Sequence, residues 1–114
     1  SRIGEHVGLM ESTVEIQNKS LSSVSYGATN VTTTAGRVDN VPSLLTNRKV
    51  VRLTNNDNNT SLYYGFDSSV TSSNGTPLGP GVTHDCEVDT NVTVYAITAT
   101  GTVSIRVQQY AGTA

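Results

Sequence analysis

The chain has 114 residues, of which 35% are hydrophobic and only 14% are charged, with a formal net charge of -2 at neutral pH. This length is typical of one domain with a modest core, and the scattered charge argues against nucleic acid or an anionic membrane as a partner, because both are bound through clustered Lys and Arg. The single cysteine, Cys86, excludes an internal disulfide framework, and no apolar run approaches the ~20 residues that cross a bilayer.

Residues 1–12 are predicted to form an N-terminal arm, and residues 13–114 a single β domain. The arm mixes apolar residues with glycines and charges and shows no consistent period, which is unlike a core element. Its apolar residues are Ile3, Val7, Leu9 and Met10.

The first two strands are predicted over Glu11–Gln17 and Leu21–Thr32. In the first, Val14 and Ile16 alternate with polar residues and share one face, and the second has a β-prone composition. Turn-forming residues then dominate residues 33–47, which predicts a long connection that crosses the end of the domain.

Arg48–Thr54 and Ser61–Phe66 are predicted to be two antiparallel strands joined by an exposed turn. The first alternates apolar and polar residues, the second is rich in aromatics, and the Asn-rich run between them is too polar to bury. Period two places Arg48 and Arg52 on one face of the strand and Lys49 on the other, so this basic group is expected to be split.

The second half of the chain shows short alternating segments separated by turns. Asn74–Gly81 contains three glycines and two prolines and is predicted to be a structured loop, because proline removes amide donors and glycine permits positive φ. Val82–Val88, Val92–Thr98 and Thr102–Gln108 are predicted strands. The whole pattern predicts an all-β fold, a single antiparallel β-sandwich or jelly roll of about seven to eight strands with an extended N-terminal arm.

His84 and Cys86 are the residues from which a nucleophilic or metal site could be built, since a thiolate beside an imidazole suits either chemistry. On a strand these two share one face while Asp85 points to the other, and further metal ligands would have to come from His6 or from distant carboxylates. A small buried thiol and an exposed histidine without a chemical role are the expected outcome.

Asp57, Asp67, Asp85 and Asp89 could supply oxygen ligands to calcium, but their spacing lacks the Asp-x-Asp-x-Asp pattern of a calcium loop. Serine-hydrolase, dinucleotide-binding and Walker-type motifs are also missing from the sequence. We therefore predict no catalytic, metal-binding or cofactor-binding residues, no cofactor and no enzyme activity.

The tyrosines support a binding hypothesis. Tyr63 and Tyr64 are adjacent, so one is expected to face the core and the other to face out. With Tyr26, Tyr95 or Tyr110 the outward ring could form a platform for sugar stacking or a protein interface. Packing and subunit contact are the expected use, because the chain has no Trp and little aromatic area.

Five motifs follow one another along residues 48–110: Val51-Arg52-Leu53-Thr54-Asn55-Asn56, Leu62-Tyr63-Tyr64-Gly65, Val70-Thr71, Gly75-Thr76-Pro77-Leu78-Gly79-Pro80-Gly81 and Val94-Tyr95-Ala96-Ile97. Their succession resembles small virion proteins of tailed bacteriophages. In those proteins a strand ending in Thr-Asn precedes an aromatic strand ending in Gly, a Gly-x-Pro-Leu-x-x-Gly loop, a Tyr-Ala strand and a final Val-rich strand.

The resemblance implies a β-sandwich that works by assembling, most often as a head decoration or cement protein. We therefore expect a virion protein, assembled in the host bacterial cytoplasm, that forms a homotrimer and binds the major capsid protein or other virion proteins, without nucleic-acid or membrane partners. The alternative is a receptor- or glycan-recognition module of a fibre or tail. The candidate contact residues are Ile3, Val7, Leu9, Met10, Tyr63, Tyr64, Pro77, Leu78 and Pro80.

Overall fold

The computed structural model describes residues 21–112, which form eight β-strands in two four-stranded antiparallel sheets. The strands are β1 (Leu21–Val31), β2 (Gly36–Arg37), β3 (Arg48–Asn55), β4 (Leu62–Gly65), β5 (Thr76–Leu78), β6 (Thr83–Cys86), β7 (Tyr95–Ile97) and β8 (Val103–Gly112). Sheet A has the order β1-β8-β3-β6 and sheet B the order β2-β7-β4-β5. The predicted β-sandwich is confirmed, whereas the arm of residues 1–12 and the strand predicted over Glu11–Gln17 lie outside the described residues. Within residues 21–112, no helix is long and apolar enough to span a membrane.

Alternating apolar residues from both sheets form the core. Val103, Ile105 and Val107 of β8 are fully buried and belong to the same cluster as Val94 and Ala96. Each fully buried aliphatic side chain favours the folded state by about 1.5–3 kcal/mol before conformational entropy is counted. The alternation predicted for Val92–Thr98 and Thr102–Gln108 is confirmed.

The two segments predicted to pair as a hairpin belong to different sheets. β3 lies in sheet A and β4 in sheet B, so the Asn-rich run between them carries the chain across the sandwich. Asn55 at the end of β3 is fully buried, and its side-chain amide donates to the carbonyl oxygens of Thr60 and Leu78. The hairpin prediction is wrong because this inward-pointing amide anchors the turn in the interior, where the chain leaves sheet A.

Arg48 and Arg52 lie on opposite faces of β3, contrary to the expectation from period two. The register of β3 against β8 shifts between Arg48 and Val50, which marks a β-bulge. Arg48 is consequently buried opposite Ala111, whereas Arg52 points outward and pairs with Asp85 on β6. A bulge adds one residue to one strand, so side chains on its two sides fall out of phase.

The buried guanidinium of Arg48 has an acceptor for each of its N–H donors. Its Nη1 donates to the carboxylate of Asp39 at 2.7 Å and to the carbonyl oxygen of the same residue at 3.3 Å. Nε donates to the carbonyl oxygen of Val88, and Nη2 to those of Asp89 and Val92 at 2.6 Å each. One side chain therefore joins β3 to the segment after β2 and to the loop before β7.

Asp39 is fully buried between two arginines. Burial alone would raise the pKa of its carboxyl group, but the hydrogen bonds from Arg37 and Arg48 outweigh burial and lower the pKa. The carboxylate is therefore charged at neutral pH, and the interior contains a complete ion pair.

The connection predicted over residues 33–47 is interrupted by β2. Its second part, the β2–β3 connection (residues 38–47), passes along the inner face of sheet A beside β1 and β8, and not across the end of the domain as predicted. The side-chain oxygen of Gln109 on β8 accepts from the backbone N–H of Leu45, and its NH₂ group donates to two backbone carbonyls of the connection. Gly27 of β1 permits the close approach, because a Cβ atom at this position would lie 2.7 Å from Cγ1 of Val41.

The predicted loop at residues 74–81 contains a short strand. β5 pairs antiparallel with β4 at the edge of sheet B, and it is only 3 residues long. Pro77 is tolerated in this strand because an edge strand has no ladder partner on one side. Leu78, the last residue of β5, is fully buried.

We expect Arg48→Ala to destabilise the fold by about 3–5 kcal/mol, because removing one partner of a buried ion pair leaves the other charge uncompensated. Arg52→Ala is the matched control. Arg52 contacts Asp85 at the same 2.7 Å, but the two side chains are 41% and 46% exposed. Its loss should therefore cost less than about 1 kcal/mol. Denaturant unfolding followed by far-UV circular dichroism measures both variants, and equal losses would contradict the central role of Arg48.

Candidate functional site

The predicted contact residues divide into three groups. Four lie outside the described residues: Ile3, Val7, Leu9 and Met10. Tyr63 is half-buried, and Pro77 and Pro80 are exposed. Tyr64 and Leu78 instead belong to the core, with 8% and 0% exposure, because they occupy inward positions of β4 and β5. The structure thus leaves Tyr63 and the two prolines as surface candidates within residues 21–112.

Tyr64 lies beside His84 and Cys86, the two residues considered in the sequence as a possible nucleophilic or metal site. His84 and Cys86 share the inward face of β6, opposite Leu53 and Val51, as period two predicts. The hydroxyl of Tyr64, from the other sheet, lies 3.0 Å from Nδ1 of His84, and the two rings meet edge to face. The arrangement is a hydrogen-bonded Tyr–His pair next to a buried thiol.

This cluster keeps its phenol and its thiol protonated at neutral pH. Burial, together with the nearby Cys86, raises the pKa of Tyr64 to about 12. Burial also raises the pKa of the Cys86 thiol, which is only 7% exposed. A nucleophilic cysteine needs a lowered pKa and access to substrate. Tyr64 and Cys86 therefore contribute to packing of the core, and the cluster does not present a thiolate.

The four aspartates considered as calcium ligands are engaged separately. Asp57, Asp67 and Asp89 each accept hydrogen bonds from backbone N–H groups two or three residues further along the chain, as turn-forming residues do. Asp85 is paired with Arg52. In the part of the chain that the structure describes, no three His, Cys, Asp or Glu side chains gather into a potential metal site.

Exposed apolar side chains concentrate on β1. Leu21 is 42% exposed, Val24 56% and Tyr26 75%, which makes three of the six large exposed apolar residues in the described range. Val24, Tyr26 and Ala28 alternate with residues that pair with the buried side of β8, so they form the outer face of β1, directed away from sheet B.

The outer face of β1 continues into a polar centre on sheet A. Tyr26 on β1 and Arg52 on β3 are both cross-strand neighbours of Gln108 on β8. Arg52 in turn lies opposite Asp85 on β6. The guanidinium of Arg52 binds the carboxylate of Asp85 at 2.7 and 3.1 Å and lies 5.4 Å from the centroid of the Tyr110 ring. The charged side chains at the centre of sheet A are thus paired with one another, while the β1 border of the sheet presents apolar side chains to solvent.

Sequence reasoning named Tyr26 only as one possible platform residue and did not single out Val24. β1 shows no clear alternation of apolar and polar residues, because neither of its faces is fully covered along most of its length. A usable signal was present, since none of its 11 residues is charged.

The thiol of Cys86 is expected to react with iodoacetamide about a hundredfold more slowly in the native protein than in the chain unfolded by guanidinium, because reaction requires opening of the core. Cys86→Ser should retain the far-UV circular dichroism spectrum of the parent. Mass spectrometry of timed samples gives both rates. Native modification as fast as that of the unfolded chain would show an accessible thiol and reopen the nucleophile hypothesis.

No protein-family model matches this chain, and none of the curated proteins is similar to it in sequence. Among solved structures, a subunit of the disulfide-linked pili that form Bacillus endospore appendages is similar over 79% of this chain and 87% of that chain, with 14% identity and a TM-score of 0.45. An overlap this loose carries no information about function.

Proposed function

We propose that this chain is a structural protein of a tailed-phage virion, a capsid decoration or cement protein that binds and stabilises the head shell as an oligomer. The observation that carries the proposal is the apolar border of sheet A, where Leu21, Val24 and Tyr26 are exposed along a single strand. Contiguous exposed apolar groups mark surfaces that contact other proteins.

The hydrogen bonding of the buried polar side chains supports a role in protein–protein contact more than a role in catalysis or ligand binding. In residues 21–112, no buried side-chain nitrogen or oxygen lacks a hydrogen-bond partner. The large buried polar groups, Arg48 and Gln109, are used to hold connections in place. A ligand site needs convergent polar groups that remain available to the ligand, and these side chains are already engaged.

The resemblance of residues 48–110 to small virion proteins supports the proposed setting. Its motifs fall mainly on β3, β4, β5 and β7, so the shared pattern belongs to the sandwich itself. The contacts would then come from segments outside these motifs and from exposed residues within them. We assign them to the arm of residues 1–12, to β1, and to the exposed Pro77 and Pro80.

The chain of 114 residues is expected to elute as a stable trimer, with its mass measured by light scattering after size-exclusion chromatography. It should also co-sediment with DNA-free phage heads assembled without this protein, and its binding to them should reach saturation. A variant with Pro77→Ser and Pro80→Ser should keep the trimer mass and lower head occupancy, because these prolines are exposed and distant in the fold from β1. A strict monomer that does not sediment with heads would contradict the proposal.

The second candidate is a receptor- or glycan-recognition module, and the exposure of Tyr26 favours it. A groove beside this ring is lined by Tyr26, Gly27, Thr54, Arg106, Val107 and Gln108. Such a groove combines an aromatic face with hydrogen-bonding side chains, as sugar sites do. A glycan-array signal that is lost in Tyr26→Ala would favour recognition over decoration.

A further inference from the structure

We propose that the outer edge of β1 accepts an extended strand from a second copy of this chain, and that the donor strand is the segment Glu11–Gln17. The inference rests on the self-assembly proposed above and identifies how the copies join. It does not depend on what surface the assembled copies occupy.

β1 differs from the other sheet edges in lacking protection. Native proteins protect edge strands by keeping them short or by placing proline or charge in them. β2 has 2 residues, β5 has 3 and includes Pro77, and β6 has 4 and includes Asp85. β1 has 11 residues without charge or proline, and in the described part of the chain it pairs only with β8.

The side chains of β1 suit an incoming strand. Ser23 and Ser25 on one face are small and uncharged, so they put neither bulk nor charge against the side chains of a strand paired at this edge. On the other face Val24 and Tyr26 are more than half exposed, and an added strand would place its own side chains directly next to theirs. Addition of one strand would thus satisfy the free backbone groups of the edge and cover its apolar border.

The segment Glu11–Gln17 has the pattern that this edge requires. Val14 and Ile16 share one face, and polar residues occupy the other. Laid along β1, the apolar pair can extend the row formed by Val24 and Tyr26 while the polar residues lie next to the serines. The segment carries two glutamates, and the uncharged β1 offers them no like-charge repulsion.

The connection between the segment and β1 favours pairing between copies over pairing within one chain. Only Asn18, Lys19 and Ser20 separate Gln17 from Leu21. Three-residue hairpin loops end in a left-handed residue, usually glycine, and Ser20 occupies that place here. A donor from another copy has no such constraint, and repeated head-to-tail donation can close into a ring such as a trimer.

The first test compares two Val→Lys variants of the full-length chain. Val24→Lys places a charge on the accepting edge and should shift the midpoint of dissociation of the oligomer to at least a tenfold higher protein concentration. Val82→Lys is the matched control, since Val82 is 41% exposed and directly precedes β6, the edge strand of sheet A farthest from β1, and this variant should dissociate like the parent. An oligomer equally stable in both variants would overturn the inference.

The second test asks which chain supplies the strand. A tagged chain carrying Ile16→Cys is mixed with an untagged chain carrying Val24→Cys or Tyr26→Cys, all in a Cys86→Ser background, and is oxidised. We expect a disulfide-linked heterodimer on a non-reducing gel. A chain that carries both Ile16→Cys and Val24→Cys is oxidised in parallel. A monomeric product with an internal disulfide from this double variant, without a heterodimer from the mixture, would show pairing with its own β1 and overturn the inference, as would the absence of any cross-link.

These results separate the inference from the proposed function. An oligomer that persists in Val24→Lys and forms no cross-link refutes strand donation and leaves self-assembly standing. A parent chain that is monomeric at every concentration refutes both strand donation and the proposed oligomer. The amount of the chain bound to phage heads, measured independently, then tests whether the chain decorates the capsid without forming an oligomer first.

Discussion

The ion pair between Arg48 and Asp39 is the constraint on which the rest of the structure depends. Neither side chain is exposed, and a buried charge persists only where it is paired and its remaining hydrogen-bonding groups are satisfied. The bulge in β3 turns the guanidinium inward, and the backbone carbonyls of Asp89 and Val92 complete its set of acceptors. Three stretches are thereby fixed against one another: the start of the β2–β3 connection, the first residue of β3 and the loop before β7. The same network explains why a chain with few charged residues places two of them in its interior.

The position of these connections also determines which surfaces of the strands remain exposed to solvent. Gln109 holds the β2–β3 connection against the inner face of sheet A, and Gly27 allows that connection to lie close to β1. The connection therefore covers the inner side of β1 at Gly27, while the outer face with Val24 and Tyr26 remains exposed. The phenol of Tyr64 and the thiol of Cys86 are buried and protonated at neutral pH, so they offer little to a reacting molecule. The exposed apolar side chains that we propose as contacts between copies lie along the border and edge of β1.

The parts of the fold that were predictable are those governed by period two alone. The alternation around Ile105 identified a buried strand correctly, since side-chain direction follows directly from sequence spacing. Sheet membership was not predictable, because the crossing after β3 depends on the buried amide of Asn55 and not on hydrophobic pattern. The burial of Arg48 opposite Asp39 depends on a bulge, which appears only when β3 is paired with β8. The exposure of Tyr26 was not predictable for a related reason, since a strand that is only partly covered on its inner face shows no clear alternation of apolar and polar residues.

Residue-resolved amide hydrogen exchange along β1, measured by NMR on the assembled full-length chain, tests strand donation most directly. In an antiparallel pair, the N–H groups of successive residues point alternately toward the two edges, so β8 alone can protect only every second amide of β1. If a second strand completes the edge, we expect consecutive amides from Val24 to Thr29 to be protected, with the outward set losing protection on dilution to monomer. An oligomer in which alternate amides of β1 exchange as fast as those of an exposed edge would contradict strand donation and place the contact between copies elsewhere.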